Sequence, residues 1–218
     1  MVRECKAAHR QRGIYNSQIK MCELIIGLTG GIGAGKSVIS RICRGRGYAV
    51  YDCDSEAKRI MDSSESMQES LRCRFGNECF TDEGRIDRKF LASKIFGNEQ
   101  HRLWLNTIVH ASVKEDVAAW AAALPGKICF VESAVLHESG LDRFSEAIWL
   151  VDAPEELRIE RVIHRNGTTS EEVRSRIASQ SNEFEMLPAA KVCTILNDDV
   201  HPLLPQIDKL LNDINSII

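Results

Sequence analysis

No stretch of the 218 residues reaches the roughly 18–20 uninterrupted apolar residues that a membrane-spanning helix needs. Positive charge is not in excess either. Lys and Arg number 28 against 31 Asp and Glu, a formal charge of −3, whereas a chain that coats nucleic acid or an anionic membrane is normally basic. Glycine and proline, at 14 and five residues, are too few for a collagen-like chain, and 44% hydrophobic with 27% charged residues excludes disorder. The eight cysteines (Cys5, Cys22, Cys43, Cys53, Cys73, Cys79, Cys129, Cys193) contain no CxxC pair. The close ligand pairing of a zinc site is thus missing, and a disulfide framework belongs in short secreted chains. All eight are expected to be free thiols in a reducing cytoplasm, with Cys53 and Cys129 acting as small hydrophobes inside apolar runs.

The length fits one domain, or one core with a sizeable insertion. Residues 1–20 stand apart, with Arg3, Lys6, Arg10, Arg12 and Lys20 against the single acid Glu4. They lack the apolar core of a secretory signal, and Ser and Leu are too scarce to favour a transit peptide. They read as a disordered basic tail, or as an upstream start on a protein that begins at Met21.

What is present is a phosphate loop. Leu24-Ile25-Ile26-Gly27-Leu28-Thr29 reads as a strand, followed by Gly30-Gly31-Ile32-Gly33-Ala34-Gly35-Lys36-Ser37 and the helical pattern Val38-Ile39-Ser40-Arg41-Ile42. This is G-x-x-x-x-G-K-[ST] between strand and helix, the context the pattern requires. Glycines let the loop turn its N–H groups onto phosphate oxygens, and the helix N-terminus adds partial positive charge. The nucleotide-binding residues are therefore Gly31, Ile32, Gly33, Ala34, Gly35, Lys36 and Ser37. Lys36 reaches the β- and γ-phosphates of ATP, and the Ser37 hydroxyl can ligate Mg²⁺.

A second strand is read over Tyr48 to Asp54. In extended chain residues two apart share a face, so Asp52 and Asp54 would project together where ligands of open α/β sheets gather. One carboxylate could orient or take the proton of an attacking hydroxyl, and the other hold Mg²⁺ through water. The plainer alternative is that Asp54 caps a helix starting at Ser55. Residues 61–126 read as helical throughout, with Ser66–Phe75, Arg88–Phe96 and a long helix near Gln100–Leu124. The last carries Leu105, Ile108, Val109, Val113, Val117 and Trp120 at core spacings. Such an insert between strands would build an acceptor pocket, with Arg85, Arg88, Lys89 and His110 as polar groups within it.

Strands resume at Lys127–Glu132 and Ala147–Asp152, both continuous apolar runs as in a sheet covered on both faces. A helix follows Pro154 and places Arg158, Arg161 and Arg165 within a narrow arc. After Asn166-Gly167-Thr168-Thr169 comes a second helix carrying Arg174 and Arg176. Helix, polar loop and helix with arginines on one side suit a lid over phosphates. The alternative is a surface helix laced with ion pairs to Glu155, Glu156 and Glu160.

In this order the sequence resembles the dephospho-coenzyme A kinase family. The resemblance rests on Leu28-Thr29-Gly30 through Ser37, on Asp52-Cys53-Asp54, on Asp82-Glu83-Gly84-Arg85-Ile86-Asp87-Arg88 and on Leu105-Asn106…His110, and it runs from about Leu24 to the C-terminal helix. It implies an α/β fold: a three-layer P-loop core with a parallel sheet over 21–60 and 127–218, a helical insert over 61–126 for the coenzyme A part of the acceptor, and a lid at about 158–184. It also implies that Asp54 is the general base and that Arg161, with Arg165, is the lid arginine. Three positions depart from the family pattern. Ala111 replaces a Pro, so the helix is expected to kink or start differently there; Glu132-Ser133-Ala134-Val135-Leu136-His137-Glu138 replaces a Pro-Leu-Leu run; Lys191 replaces an Asp. The expected activity is ATP- and Mg²⁺-dependent phosphorylation of the ribose 3′-hydroxyl of dephospho-coenzyme A. Catalysis would fall to Asp54, Lys36 and Arg161, ATP binding would add Arg165, acceptor contacts would involve Asp54, Arg88 and His110, and metal binding Ser37 and Asp52. The partners expected are these small molecules alone, without nucleic acid or membrane, for a cytoplasmic monomer. The rivals are a nucleoside monophosphate kinase or other small-molecule kinase on the same scaffold, and a nucleotide-gated regulatory protein.

Overall fold

The computed structural model describes residue 22 and residues 24–216, so the expectations for residues 1–20 lie outside the described residues. Five strands, β1 (Leu24–Gly30), β2 (Ala49–Asp52), β3 (Ile128–Glu132), β4 (Ala147–Asp152) and β5 (Val192–Leu196), form one sheet in the order β2-β3-β1-β4-β5. Every pairing is parallel. The continuous apolar runs of β1 and β3 follow from this arrangement, because both faces of the inner strands are covered. The helices are α1 (Lys36–Gly45), α2 (Cys53–Ser63), α3 (Glu65–Phe75), α4 (Arg88–Ile95), α5 (Glu99–Ala123), α6 (Glu155–Asn166), α7 (Ser170–Ser179), α8 (Ser181–Glu185) and α9 (Leu203–Asn215).

Alternate side chains of the strands feed two cores, one on each face. Ile26, Leu28, Phe130, Trp149 and Val151 pack with Ile39 of α1 and Ile207 and Leu211 of α9. On the opposite face Tyr51, Val131 and Ile148 pack with Met67 and Leu71 of α3 and with Leu105, Val113 and Val117 of α5. The apolar stripe of the long helix is thus core. It is also continuous with the sheet: the helical insert shares its hydrophobic cluster with buried residues of β2, β3 and β4. Among the described residues of 61–126 the only β feature is an isolated bridge between Phe80 and Ile86. Helix α5 passes through Ala111 without a break, so the expectation of a different start there is corrected. Alanine is a strong helix former and keeps its N–H, which is all an unbroken helix needs at that position. Lys191 has a partner despite its departure from the family pattern, donating from Nζ to the Ser145 carbonyl at 2.8 Å. Cys22, Cys43, Cys53, Cys73, Cys79 and Cys129 are free thiols, with Cys53 and Cys129 buried.

Helices α6 and α7 form a hairpin. Gly167 ends α6 in the left-handed region at φ 64, and Thr169 and Glu172 close a capping box at the start of α7. The hairpin has its own small core of Ile159, Val162 and Val173, and Ile32 of the phosphate loop packs into it. Hairpin and loop therefore meet through apolar contact before any ligand is considered.

Candidate active site

Strand β1 ends at Gly30 and α1 begins at Lys36, leaving residues 31–35 as the loop. Gly33 needs to be glycine on two counts: its φ is 78, and a Cβ there would stand 2.4 Å from the backbone oxygen of Arg158. Gly35, at φ 98, caps α1 without any side-chain acceptor, so the first N–H groups of the helix are left for an anion. Lys36 folds back over the loop and donates from Nζ to the Gly30 carbonyl at 2.6 Å. Burial pushes its pKa down; the carboxylates of Glu132 and Asp54 oppose that shift, while Arg158 and Arg165 add to it. Lys36, Asp54, Glu132, Arg158 and Arg165 thus share one electrostatic neighbourhood at the C-terminal edge of the sheet.

The two aspartates do not stand as expected. Strand β2 stops at Asp52, and Cys53 and Asp54 already belong to the first turn of α2. The shared-face geometry of extended chain does not apply. Asp52 is the N-cap: its Oδ1 accepts from the N–H groups of Asp54 and Ser55 at 3.1 and 3.2 Å, and its Oδ2 from the Ser55 hydroxyl at 2.8 Å. The capping role weighed for Asp54 belongs to Asp52, and the helix starts at Cys53 instead of Ser55. Asp54 is left exposed at the helix N-terminus, its own amide held by the cap.

Glu132 is the acid that sequence reasoning missed as a site residue. It ends β3, lies in register with Asp52 on one side and Leu28 on the other, and accepts a hydrogen bond from the hydroxyl of Ser40 on α1. The available signal was an acid closing an apolar strand.

The three arginines of α6 leave the helix on neighbouring faces but reach different partners. Arg158 donates from Nε to the carbonyl of Ile32 at 3.0 Å, and its guanidinium lies over Gly31, where a Cβ would meet it at 2.3 Å. Arg161 turns to the β5–α9 loop, donating to the Asn197 carbonyl at 2.9 Å and to Asp199 Oδ1 at 2.7 Å. Asn197 in turn donates from Nδ2 to the Ala34 carbonyl at 2.8 Å. Arg165 bonds only locally, to Asn166 Oδ1 at 2.9 Å, yet it is near enough to Lys36 to act on its charge. Arg174 is tied to Glu155 and Glu156 at 2.5 and 2.8 Å, so for that residue the surface ion-pair reading holds.

On the insert, Arg88 pairs with Asp62 at 2.7 Å and braces α4 against α2. His110 is half-buried on α5; burial lowers its pKa, the carboxylate of Glu138 works against the shift and Lys114 works with it. Asn106, one turn earlier, donates to Glu138 Oε1 at 2.9 Å. His110 therefore faces the loop after β3, whereas Arg88 is engaged elsewhere. No cluster of three or more His, Cys, Asp or Glu able to hold a metal ion occurs among the described residues. The donors near the loop are instead hard oxygens: the exposed Ser37 hydroxyl and the Glu132, Asp52 and Asp54 carboxylates. Such a set suits Mg²⁺, which binds through one or two carboxylates together with substrate phosphates and water.

A parallel sheet with a glycine-cradled helix N-terminus, a half-buried lysine opening that helix and an arginine-bearing helical hairpin against the loop defines a P-loop kinase of the small-molecule type. Residues 24–202 match the family model described as dephospho-CoA kinase. The chain is 36% identical over 193 residues to a dephospho-CoA kinase of Porphyromonas gingivalis, covering 88% of this chain and 95% of that one. A crystal structure from Thermus thermophilus superposes with a TM-score of 0.73 at 31% identity, over 89% of this chain and 97% of the other. A dephospho-CoA kinase from Campylobacter jejuni shares the fold, with a TM-score of 0.62 at 23% identity over 88% and 96% of the two chains. The chain belongs to the dephospho-CoA kinase family.

Proposed function

We propose that this protein transfers the γ-phosphoryl group of ATP to the ribose 3′-hydroxyl of dephospho-coenzyme A, the last step of coenzyme A biosynthesis. The observation that carries the reading is the family match, which spans the phosphate loop, the insert and the hairpin together. Loop amides and Lys36 hold the phosphates. The side chains of Ser37, Glu132 and Asp52 supply the oxygens that would hold Mg²⁺ directly or through water, and the ion would neutralise phosphate charge when bound. Asp54 orients the acceptor hydroxyl and accepts its proton. The insert over 61–126, with His110, receives the coenzyme A side of the acceptor. The α6–α7 hairpin is the lid that excludes water as a competing acceptor, with α8 anchoring it to the body. Among the described residues no helix is long and apolar enough to cross a membrane, and we place the enzyme in the cytoplasm.

We divide the arginine roles differently from the motif alone, on the partners that each side chain reaches. Arg165 sits in the field of Lys36 and donates to an amide oxygen, that of Asn166, instead of a carboxylate, so we assign it to the transferring phosphoryl group. Arg161, held by Asn197 and Asp199 beside the Ala34 end of the loop, is assigned to the nucleotide side of ATP. Arg165→Ala is then expected to lower kcat by roughly 10²-fold with little change in the KM for ATP, as for loss of a group acting in the transition state. Arg161→Ala is expected to raise that KM instead. Steady-state kinetics on both variants check the division; the reverse pattern would return the catalytic role to Arg161.

The function itself is tested with purified protein, Mg-ATP and a panel of acceptors, following ADP release. Dephospho-coenzyme A should stand far above AMP, dCMP, shikimate and water. Preference for a nucleoside monophosphate would favour that class of kinase, and turnover indifferent to any acceptor would favour a nucleotide-gated regulator.

A further inference from the structure

Glu183 is buried at 9% exposure, and its carboxylate is held by backbone amides. Its two carboxylate oxygens accept from successive backbone N–H groups across the fold, those of His137 and Glu138, the latter at 3.0 Å. Burial pushes its pKa up, the two amides hold it down, and neighbouring His137 and Glu138 act in opposite senses. The carboxylate gives each amide its own oxygen, and losing it would leave two part-buried amides without these partners. One turn earlier, Gln180 makes the corresponding contact with the other substrate's loop: its Oε1 accepts from the Ile32 N–H at 2.9 Å. The Ile32 peptide is therefore gripped on both sides, since Arg158 binds its carbonyl.

The segment holding these two side chains cannot swing freely from the body. Phe184 and Leu187 pack into the core shared by the sheet and the insert. The loop that Glu183 grips leads onward to the insert, through Glu138 and Asn106 of α5, and its His137 Nδ1 lies 2.9 Å from Asp142 Oδ2. A continuous line of bonds runs from the phosphate loop through Gln180 and Glu183 to the loop facing His110.

We propose that Glu183 is a positioning residue that, with Gln180, holds the donor loop and the acceptor-side loop in register, so that filling the acceptor site tightens the grip on ATP. The inference rests on the dephospho-coenzyme A kinase reading of the site. Neither residue touches the reacting atoms; both act through the loops they hold. Coupling between the sites then requires that the Gln180–Glu183 turn be intact, because it contacts both loops at once.

The test is the affinity of a non-hydrolysable ATP analogue, measured by calorimetry with and without saturating dephospho-coenzyme A. In the wild type the acceptor should tighten analogue binding by about fivefold or more, the lower end of ordinary coupling. Glu183→Gln keeps the shape but offers one acceptor oxygen, and turns an N–H group toward a backbone N–H. It should bind the analogue alone within about twofold of wild type, lose the tightening, and transfer phosphate about 10-fold or more slowly at saturating substrates. A merely structural role would lower Tm and leave the tightening in place, and that result overturns the proposal; so would a wild type whose substrates bind independently. Should Glu183→Gln fail to fold, Gln180→Ala breaks the same line from its partly exposed end and must abolish the tightening. A wild type that does not phosphorylate dephospho-coenzyme A would overturn the functional reading, a result separable from loss of coupling in an active enzyme.

Discussion

Asp54→Asn is expected to lower turnover by roughly 10²–10⁴ while leaving the fold and the affinity for ATP alone nearly unchanged. The carboxylate is exposed in the first turn of α2. Its backbone is pinned by the Asp52 cap, so its direction is set before substrate arrives. Asparagine matches it in size and cannot take a proton at neutral pH. The companion variants separate the two aspartates. Asp52→Asn retains a capping oxygen, and Asn caps about as well as Asp, so stability should hold. Asp52→Ala should cost about 1 kcal/mol through the lost cap, together with activity through a loosened Asp54. Kinetics and thermal melts on the three proteins decide the matter. Phosphoryl transfer can proceed through a loose transition state that needs little base. A fall of less than about tenfold in Asp54→Asn would mean that its carboxylate only orients the hydroxyl.

The second large effect belongs to Lys36. Lys36→Ala should lower kcat by roughly 10²–10³, the usual loss when one preorganised charge donor is removed from a transition state. Lys36→Arg should not restore it: a planar guanidinium does not replace the compact ammonium that now folds back to the Gly30 carbonyl. The lysine has a titration signature as well. Burial depresses its folded pKa below 10.5, so the unfolded chain holds this proton more tightly than the folded one. Stability from this group therefore rises with pH across the window below 10.5, and a Tm advantage of Lys36→Ala in the ligand-free protein should shrink as pH climbs through it. ATP affinity runs the other way, weakening in the same window as the ammonium is lost. Binding curves and melts between pH 8 and pH 10.5 read both trends.

Much of this protein is determined by residues that are neighbours in the chain. The phosphate loop is legible because its glycines, lysine and serine perform their chemistry on adjacent backbone, between an apolar run and an amphipathic helix. The stripe on α5 is legible for the same reason: helical faces are set within a turn or two. Tertiary structure decided whatever depends on which distant segment comes near. The spacing of Asp52 and Asp54 is compatible with strand or helix, and only the end of pairing with β3 at Glu132 makes Asp52 a cap. Arg158, Arg161 and Arg165 share an arc, but long side chains go where acceptors lie, and the acceptors are carbonyls of Ile32 and Asn197, far away in sequence. Glu132, Gln180 and Glu183 show no motif because their partners are a hydroxyl on α1 and backbone amides, which have no side-chain identity to read. Local chemistry is written in adjacent residues; the pairing of side chains with remote backbone exists only once the sheet has brought the strand ends to one edge.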